Sequence, residues 1–426
     1  MSAGAAKKAP AKGQSFRAYY TFAALIVGLG LGAIAASPQV VSVASFIGAL
    51  WLNALKMTVI PLVVTLLVVG VSKSSEAAAA GRIAGRSVLW MVIICTASAA
   101  FGAAMILLLT KMFPLARQTA QGLQTALAGV EQAASGPLPG ISDFFKGVIP
   151  DNVFASAANG DILPLVVFSA LFALALAHIS APGRRAIVGL FEAIADAMIV
   201  IIEWVLWVAP LGVLALAYTV GSAAGGSAFA GLGHYVVLIS VIGIIVTLTC
   251  YPLAMIAARI GPGSFSRALV APTAVAISTR SSLASLPAML TSVKTLGVRD
   301  EVADVTLPIA VALFRATGPA MNTAVAFYVA HWIGFEPSIA QMIAATAVGA
   351  VMSYGAVSLP GEVSYISSIA PIALALGLPI TPLALLVAVE MIPDIFRTVG
   401  NVWHDVTVTA IVDRSTRTGS EKLNAR

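Results

Sequence analysis

The stretch Glu390–Asp405, EMIPDIFRTVGNVWHD, decides how the rest of the chain is read. Counted from Glu390, its polar residues Asp394, Arg397, Thr398, Asn401 and Asp405 follow at intervals of four, seven, eight, eleven and fifteen. At about 3.6 residues per turn they form one stripe down a single side of a helix. Met391, Ile392, Ile395, Phe396, Val399, Val402 and Trp403 lie between them and face elsewhere. The flanks LALLVAV and VTVTAIV are apolar, which sets the stripe at membrane depth. Three carboxylates and an arginine are costly there unless they face a protein interior, one another or a polar ligand, and such residues mark functional sites.

Composition agrees. The chain has 426 residues, 59% of them hydrophobic and 10% charged, with a mean hydropathy of +0.97. A soluble chain carries about 25% charged residues, so the sequence predicts an all-α polytopic membrane protein. The net charge of +6 then belongs to loop topology, and no nucleic-acid partner is expected. Cys95 and Cys250 both lie in apolar runs and read as buried hydrophobes, with no disulfide framework and no metal site. No cofactor is expected.

Residues 1–18 form a polar tail with Lys7, Lys8, Lys12 and Arg17. The run that follows ends in a cleavage-like AIAAS, but its length and the membranous segments after it favour a first transmembrane helix over a removed leader. Further apolar segments fall at roughly 40–71, 85–110, 141–180, 187–220, 233–258, 303–334 and 380–412, which makes eight spans. The connections holding Lys73, Arg82 and Arg86, then Arg184 and Arg185, Arg259 and Arg267, and Lys294 and Arg299 share one side. Those at 37–40 and 221–233 carry no Lys or Arg, so both termini are expected in the cytoplasm of a cell whose inner membrane holds the protein. Residues 111–140, rich in Ala, Gln and Gly, read as a long external loop, and 415–426 as a cytoplasmic tail.

Two more segments are too apolar for loops but broken in the middle: 261–298, interrupted by STRSSLASLP, and 339–378, interrupted by SYGAVSLPGEVSYISS. Proline and glycine stop a continuous helix, and serines satisfy the freed backbone groups. Two kinked spans fit this pattern, as do two re-entrant hairpins. A charged cytoplasmic loop after the first favours hairpins, which point to a site at the bilayer midplane.

These residues carry a resemblance. LKMTVIPLVV (55–64), VIPDNVFASAANGDILPLVVF (148–168), APLGVLALA (209–217), TRSSLASLP, GAVSLPGE and above all PDIFRTVGNVWHD resemble the glutamate/aspartate transporter family, the dicarboxylate/amino-acid:cation symporters. The resemblance implies eight transmembrane helices plus two re-entrant hairpins, the spans grouped at 19–110 and 141–260 with 302–334 and 380–414 after the first hairpin. It further implies a homotrimer and elevator-type alternating access.

Carried over by position, Arg397 holds the side-chain carboxylate of an acidic substrate and Asp394 its amino group. Thr323 and Thr398 supply hydroxyls, Asn401 with Ser281 and Ser282 hold the main-chain carboxylate, and Leu359, Pro360, Gly361 and Val363 form a lid. The Asp394–Arg397 pair matches the amino-acid branch, so an L-aspartate- or L-glutamate-like substrate is expected ahead of a plain C4-dicarboxylate, with an anion channel as the alternative of another class. An enzyme is not expected, since His178, His234, His331 and His404 are scattered and no HExxH or GxSxG occurs.

The departures predict lost sodium coupling. Where the family carries Asn-Met-Asp-Gly-Thr in the seventh span, this chain is aligned as Pro319, Ala320, Met321, Asn322 and Thr323, without the hard oxygens sodium needs. Ala356 replaces a polar hairpin residue, and a Thr-Ser pair reads Thr96-Ala97. Of the ion-site side chains Asp405, Asn401 and Thr96 remain. Unexpected charges are Arg315, Glu362, Glu390 in place of Asp, and His404. Arg315 is expected to pair with Asp405 in place of a sodium ion, with Glu362 or His404 as candidate proton carriers.

Overall fold

A computed structural model describes residues 13–79, 81–116, 119, 149–355 and 361–417. The expected loop at 111–140 from residue 120 onward, the hairpin tip at 356–360 and most of the two tails lie outside the described residues.

All regular structure among the described residues is helical, as the apolar, strand-poor sequence requires. In chain order the helices are α1 (Gly13–Ile34), α2 (Pro38–Ala79), α3 (Arg82–Met112), α4 (Val153–Asn159), α5 (Ile162–Leu176), α6 (Ala181–Trp207) and α7 (Ala209–Ala224). Then follow α8 (Ser227–Ala258), α9 (Pro262–Thr279), α10 (Ser282–Thr295), α11 (Asp300–Leu313), α12 (Thr317–Ile333) and α13 (Ile339–Gly355). The last are α14 (Gly361–Ala375), α15 (Thr381–Leu386) and α16 (Met391–Thr416).

Four of the described helices are long and apolar enough to cross a membrane: Pro38–Ala78, Arg82–Met112, Ser227–Ala258 and the composite Asp300–Ile333. A fifth exists if α6 and α7, bent by 58° at their junction, count as one. The sequence reading expected eight. Part of the difference is that several expected spans are broken. The segment 141–180 contains two short helices, α4 and α5, parted at Gly160, whose φ of 78° is open to glycine but strained for other residues. The expected span 380–414 divides into α15 and α16, and α16 carries Asp394, Arg397, Asp405, Asp413 and Arg414, too many charges for an ordinary span.

Prolines explain where the chain breaks. Pro210, Pro319, Pro382 and Pro393 each lie within the first three residues of the helix after a break. A proline has no N–H to bond the carbonyl four residues earlier, so it is tolerated in a first turn and ends the helix before it. Pro319 thus offers no amide to the Arg315 carbonyl, which accepts from the Gly318 amide at 3.1 Å instead, and Phe314 takes extended backbone (φ −110°, ψ 129°) between α11 and α12.

Helices α9 and α10 reverse direction at Arg280–Ser281, where Arg280 has a left-handed φ of 49° and Ser281 caps α10 by accepting from the Ala284 amide at 3.2 Å. Their far halves meet where Ser292 Oγ donates to the Ala268 carbonyl at 2.6 Å. Helices α13 and α14 pack together too, with Gln341 Nε2 donating to the Leu376 carbonyl at 3.1 Å near their open ends. Both segments thus form helical pairs, as the interrupted pattern suggested.

Close backbone packing joins α1 to α7 and α3 to α12. At Gly102 of α3 a Cβ would stand 2.1 Å from the Ala320 carbonyl oxygen of α12, so only glycine allows this approach. At the far end of α16, Asp413 is held by Arg299 (Nε, 2.7 Å) and Arg417 (Nη2, 2.7 Å). Arg299 Nη2 also donates to Thr416 Oγ1 at 2.8 Å, while Arg82 and Arg86 of α3 donate to the carbonyls of Thr416 (3.2 Å) and Ser415 (2.9 Å). Cations thereby satisfy the carbonyls that a helix C-terminus leaves unpaired.

Candidate functional site

The polar stripe of α16 is buried along its whole length. Glu390, Asp394, Arg397, Thr398, Asn401 and Asp405 are all at most 9% exposed. Glu390 immediately precedes the helix, in the break that Pro393 imposes, and reaches back along it. Its Oε1 lies 2.5 Å from Arg397 Nη1, a close ion contact whose angle falls outside hydrogen-bond geometry. The same Nη1 donates to Asp394 Oδ1 at 3.3 Å. Arg397 Nε and Nη2 are buried and have no hydrogen-bond partner among the described residues. One guanidinium therefore serves two acids with a single nitrogen and keeps two donors in reserve. Unmet buried donors are costly, and a planar carboxylate is the ligand they suit best.

Other elements complete this end of the site. Tyr235 of α8 donates to Glu390 Oε2 at 2.7 Å, and its hydroxyl is 3.2 Å from that of Tyr365 in α14. Arg280, at the turn between α9 and α10, brings Nη1 to 4.0 Å from Asp394 Oδ2. Its left-handed backbone directs it there from a turn that Ser281 secures. Ser281 spends its hydroxyl on that cap, and Ser282 is the half-buried first residue of α10.

One turn further along, Asn401 is tied to the break between α11 and α12. Its Oδ1 accepts from the Thr317 amide at 3.0 Å and hydroxyl at 2.5 Å, and that hydroxyl is also 2.6 Å from the Arg397 carbonyl. Ser98 of α3 donates to the Ala316 carbonyl in the same break. Arg315, in the middle of it, donates from Nη1 to Ser364 Oγ of α14 at 3.0 Å. Asp405 is fully buried, and among the described residues neither of its oxygens accepts a hydrogen bond.

Several expectations change. The expected contact between Arg315 and Asp405 includes no hydrogen bond among the described residues. Pro319–Thr323 lies inside continuous helix α12, and the unwound part of this span is Phe314–Ala316, because the proline opens the ladder ahead of itself. Thr323 is buried against α13, where a Cβ on Gly349 would be 2.3 Å from its Oγ1. Thr96 sits on the exposed side of α3, whereas Cys95 and Ser98 face inward. His404 has both ring nitrogens engaged, with the Gly400 carbonyl (2.8 Å) and Thr249 Oγ1 (3.3 Å). Leu359 and Pro360 lie outside the described residues, as do the side chains of Glu362 and Val363 and the surroundings of Gly361.

The sequence reading missed Tyr235, Tyr365, Arg280 and Thr317. Arg280 stands inside the quoted TRSSLASLP, and Thr317 was within reach of the rule that proline opens the helix before it. The tyrosines gave no signal, because a buried tyrosine in an apolar helix looks like core.

A chain with a broken helix beside a buried arginine–carboxylate stripe and two helical pairs has the parts of a membrane carrier. Residues 18–415 match the model of the sodium:dicarboxylate symporter family, and the chain belongs to that family of transporters, which is not one of enzymes. It is 28% identical over 395 residues to the proton/sodium-glutamate symport protein of Bacillus caldotenax, covering 90% of this chain and 91% of that one. It is 26% identical over 379 residues to the proton/glutamate-aspartate symporter of Escherichia coli, covering 88% and 85%. With C4-dicarboxylate transport protein 2 of Ralstonia nicotianae it shares 25% over 397 residues, covering 91% and 86%.

Proposed function

We propose that this protein carries acidic amino acids such as L-aspartate or L-glutamate across the plasma membrane, independently of sodium. The observation that carries the reading is Arg397, a buried guanidinium with two unengaged donors flanked by two carboxylates. Arg397 takes a substrate carboxylate through those donors, and Asp394, only loosely approached by Arg280, takes the substrate ammonium. A plain dicarboxylate brings two negative charges and no ammonium to a site that already holds Glu390 and Asp394, and is therefore disfavoured. The glutamate and glutamate-aspartate symporters among its relatives support this class of substrate.

Sodium independence rests on the helix break. At Phe314–Ala316 neither Phe314 nor Ala316 offers a side-chain oxygen, so a cation there would have only backbone carbonyls from these residues. Arg315 supplies a fixed positive charge there, bound to Ser364 and within electrostatic reach of Asp394 and Asp405. Asn401 and Asp405 remain of the ion-binding side chains, with Cys95 inward where Thr96 had been expected. In this reading α13 and α14 act as a lid that closes over the substrate, α9–α10 is the opposing re-entrant hairpin, and the transport unit slides as an elevator within a homotrimer. Both termini face the cytoplasm, where the basic connections lie.

Uptake of labelled aspartate into proteoliposomes, with choline replacing sodium, tests the reading. Equal uptake and affinity in the two cations are expected. A tenfold gain in affinity with sodium overturns sodium independence, and absence of aspartate uptake overturns the substrate.

A further inference from the structure

We infer that Glu390 is the proton carrier of the transport cycle: its carboxylate competes with the substrate carboxylate for Arg397 and leaves by taking up a proton. The inference rests on the acidic-amino-acid reading above and adds the coupling ion and its atom.

Glu390 and Asp394 together crowd one nitrogen of Arg397, at 2.5 Å and 3.3 Å. A substrate carboxylate engaging Nε and Nη2 would be the third anion on one guanidinium, where Glu390, Asp394 and Arg397 are each at most 9% exposed. Like charges so close and so dry cannot all stay ionised. One acid must become neutral, and the groups around each decide which.

Asp394 faces Arg280 as well as Arg397, and it must stay charged to hold the substrate ammonium. Glu390 has Arg397 and Asp394 on its own helix, Tyr235 from α8 and Tyr365 from α14; Arg315 reaches the same helix α14 at Ser364. Its second oxygen, Oε2, is bonded to a neutral hydroxyl instead of a cation. A hydroxyl both donates and accepts. When a proton from water settles on Oε2, Glu390 donates to the Tyr235 oxygen, and Tyr235 turns its own hydrogen to the Tyr365 oxygen 3.2 Å away. No hydrogen bond is lost, and Oε1 gives up Nη1.

The charges balance. The substrate brings one ammonium and two carboxylates, a net of minus one, and the proton cancels it. Binding then leaves the total charge of the buried site unchanged, and one proton travels with each substrate. Asp405 and His404 are not needed for this step: His404 has both nitrogens engaged, and Asp405 lies beyond the Asn401–Thr317 tie.

The test is titration calorimetry of the purified full-length protein with L-aspartate, in buffers of different ionisation enthalpy and across a range of pH. Wild type should take up about one proton per aspartate, with affinity falling about tenfold per pH unit on the alkaline side. Glu390→Gln, which keeps the shape and the Tyr235 contact, should bind aspartate with no proton uptake and a flat pH profile. Tyr235→Phe, which removes the hydrogen-bond partner of Oε2, should keep the uptake but move its midpoint, and it decides the matter if the glutamine variant does not fold. Wild-type binding without proton uptake, uptake retained in Glu390→Gln, or an unmoved midpoint in Tyr235→Phe overturns the inference alone. Failure of wild type to bind aspartate at any pH overturns the underlying substrate reading.

Discussion

Asn401 holds Thr317 by both its amide and its hydroxyl, at 3.0 Å and 2.5 Å, so the break between α11 and α12 is fastened to α16 by one side-chain oxygen. The Thr317 hydroxyl also reaches the Arg397 carbonyl at 2.6 Å, which ties the end of the unwound segment to the backbone of α16 at that residue. The backbone freed by Pro319 is thereby fixed in place.

Thr317→Val keeps the shape and deletes the donor. The buried acceptors on Asn401 and Arg397 then lose a partner, which costs about 1–3 kcal/mol. A lower melting temperature of the purified protein in detergent is expected. An unchanged melting curve would show that the clamp contributes nothing to stability.

Arg397→Ala should abolish binding of acidic amino acids. Losing one partner of a buried charge pair costs about 3–5 kcal/mol, a hundredfold or more in affinity. Titration with L-aspartate measures it, and near-native affinity would remove Arg397 from its role as carboxylate clamp.

Asp394→Asn should shift preference from amino acids towards plain dicarboxylates, because the partner of a substrate ammonium goes while Arg397 stays. Competition of labelled aspartate with succinate, in wild type and variant, gives the ratio. If it does not move, Asp394 serves only the internal network with Arg397 and Arg280.

Gly102→Leu should destabilise the protein by about 1–3 kcal/mol or more, since side-chain atoms would have to enter the α3–α12 contact where even a Cβ meets the Ala320 backbone at 2.1 Å. Gly30→Ala is the control: nothing lies within 4 Å of a Cβ there, and alanine is the better helix former. Melting curves of the two variants should move in opposite directions or leave the second unmoved. A tolerated Gly102→Leu would mean that the two helices do not approach as closely as described.

What the sequence disclosed was whatever one helix could write by itself. The stripe from Glu390 to Asp405 is periodic, so its burial on a single face followed from spacing alone, and the two Pro/Gly-interrupted segments announced helical pairs. The partners were hidden by distance along the chain. Tyr235 meets Glu390 across 155 residues, and nothing local marks either as meant for the other. The alignment of the seventh span missed the unwound segment because it followed motif likeness and not the proline, whose lost N–H points back to Arg315. The expectation of eight spans did not foresee where they break, because hydropathy sums over a window and does not see a 58° bend at Val208 or a pause at Gly160.

The arginines at the far end of α16 also set a sequence of events in time. Arg82 grips a carbonyl 334 residues further along the chain. At about 5–20 residues per second, the ribosome needs on the order of half a minute to deliver that partner after Arg82 has been made. Until then the contacts of Arg82 and Arg86 with the end of α16 cannot form, and the polar stripe, carried on the same late helix, is not yet in place. The buried stripe is therefore completed only after the last long helix, α16, has been made.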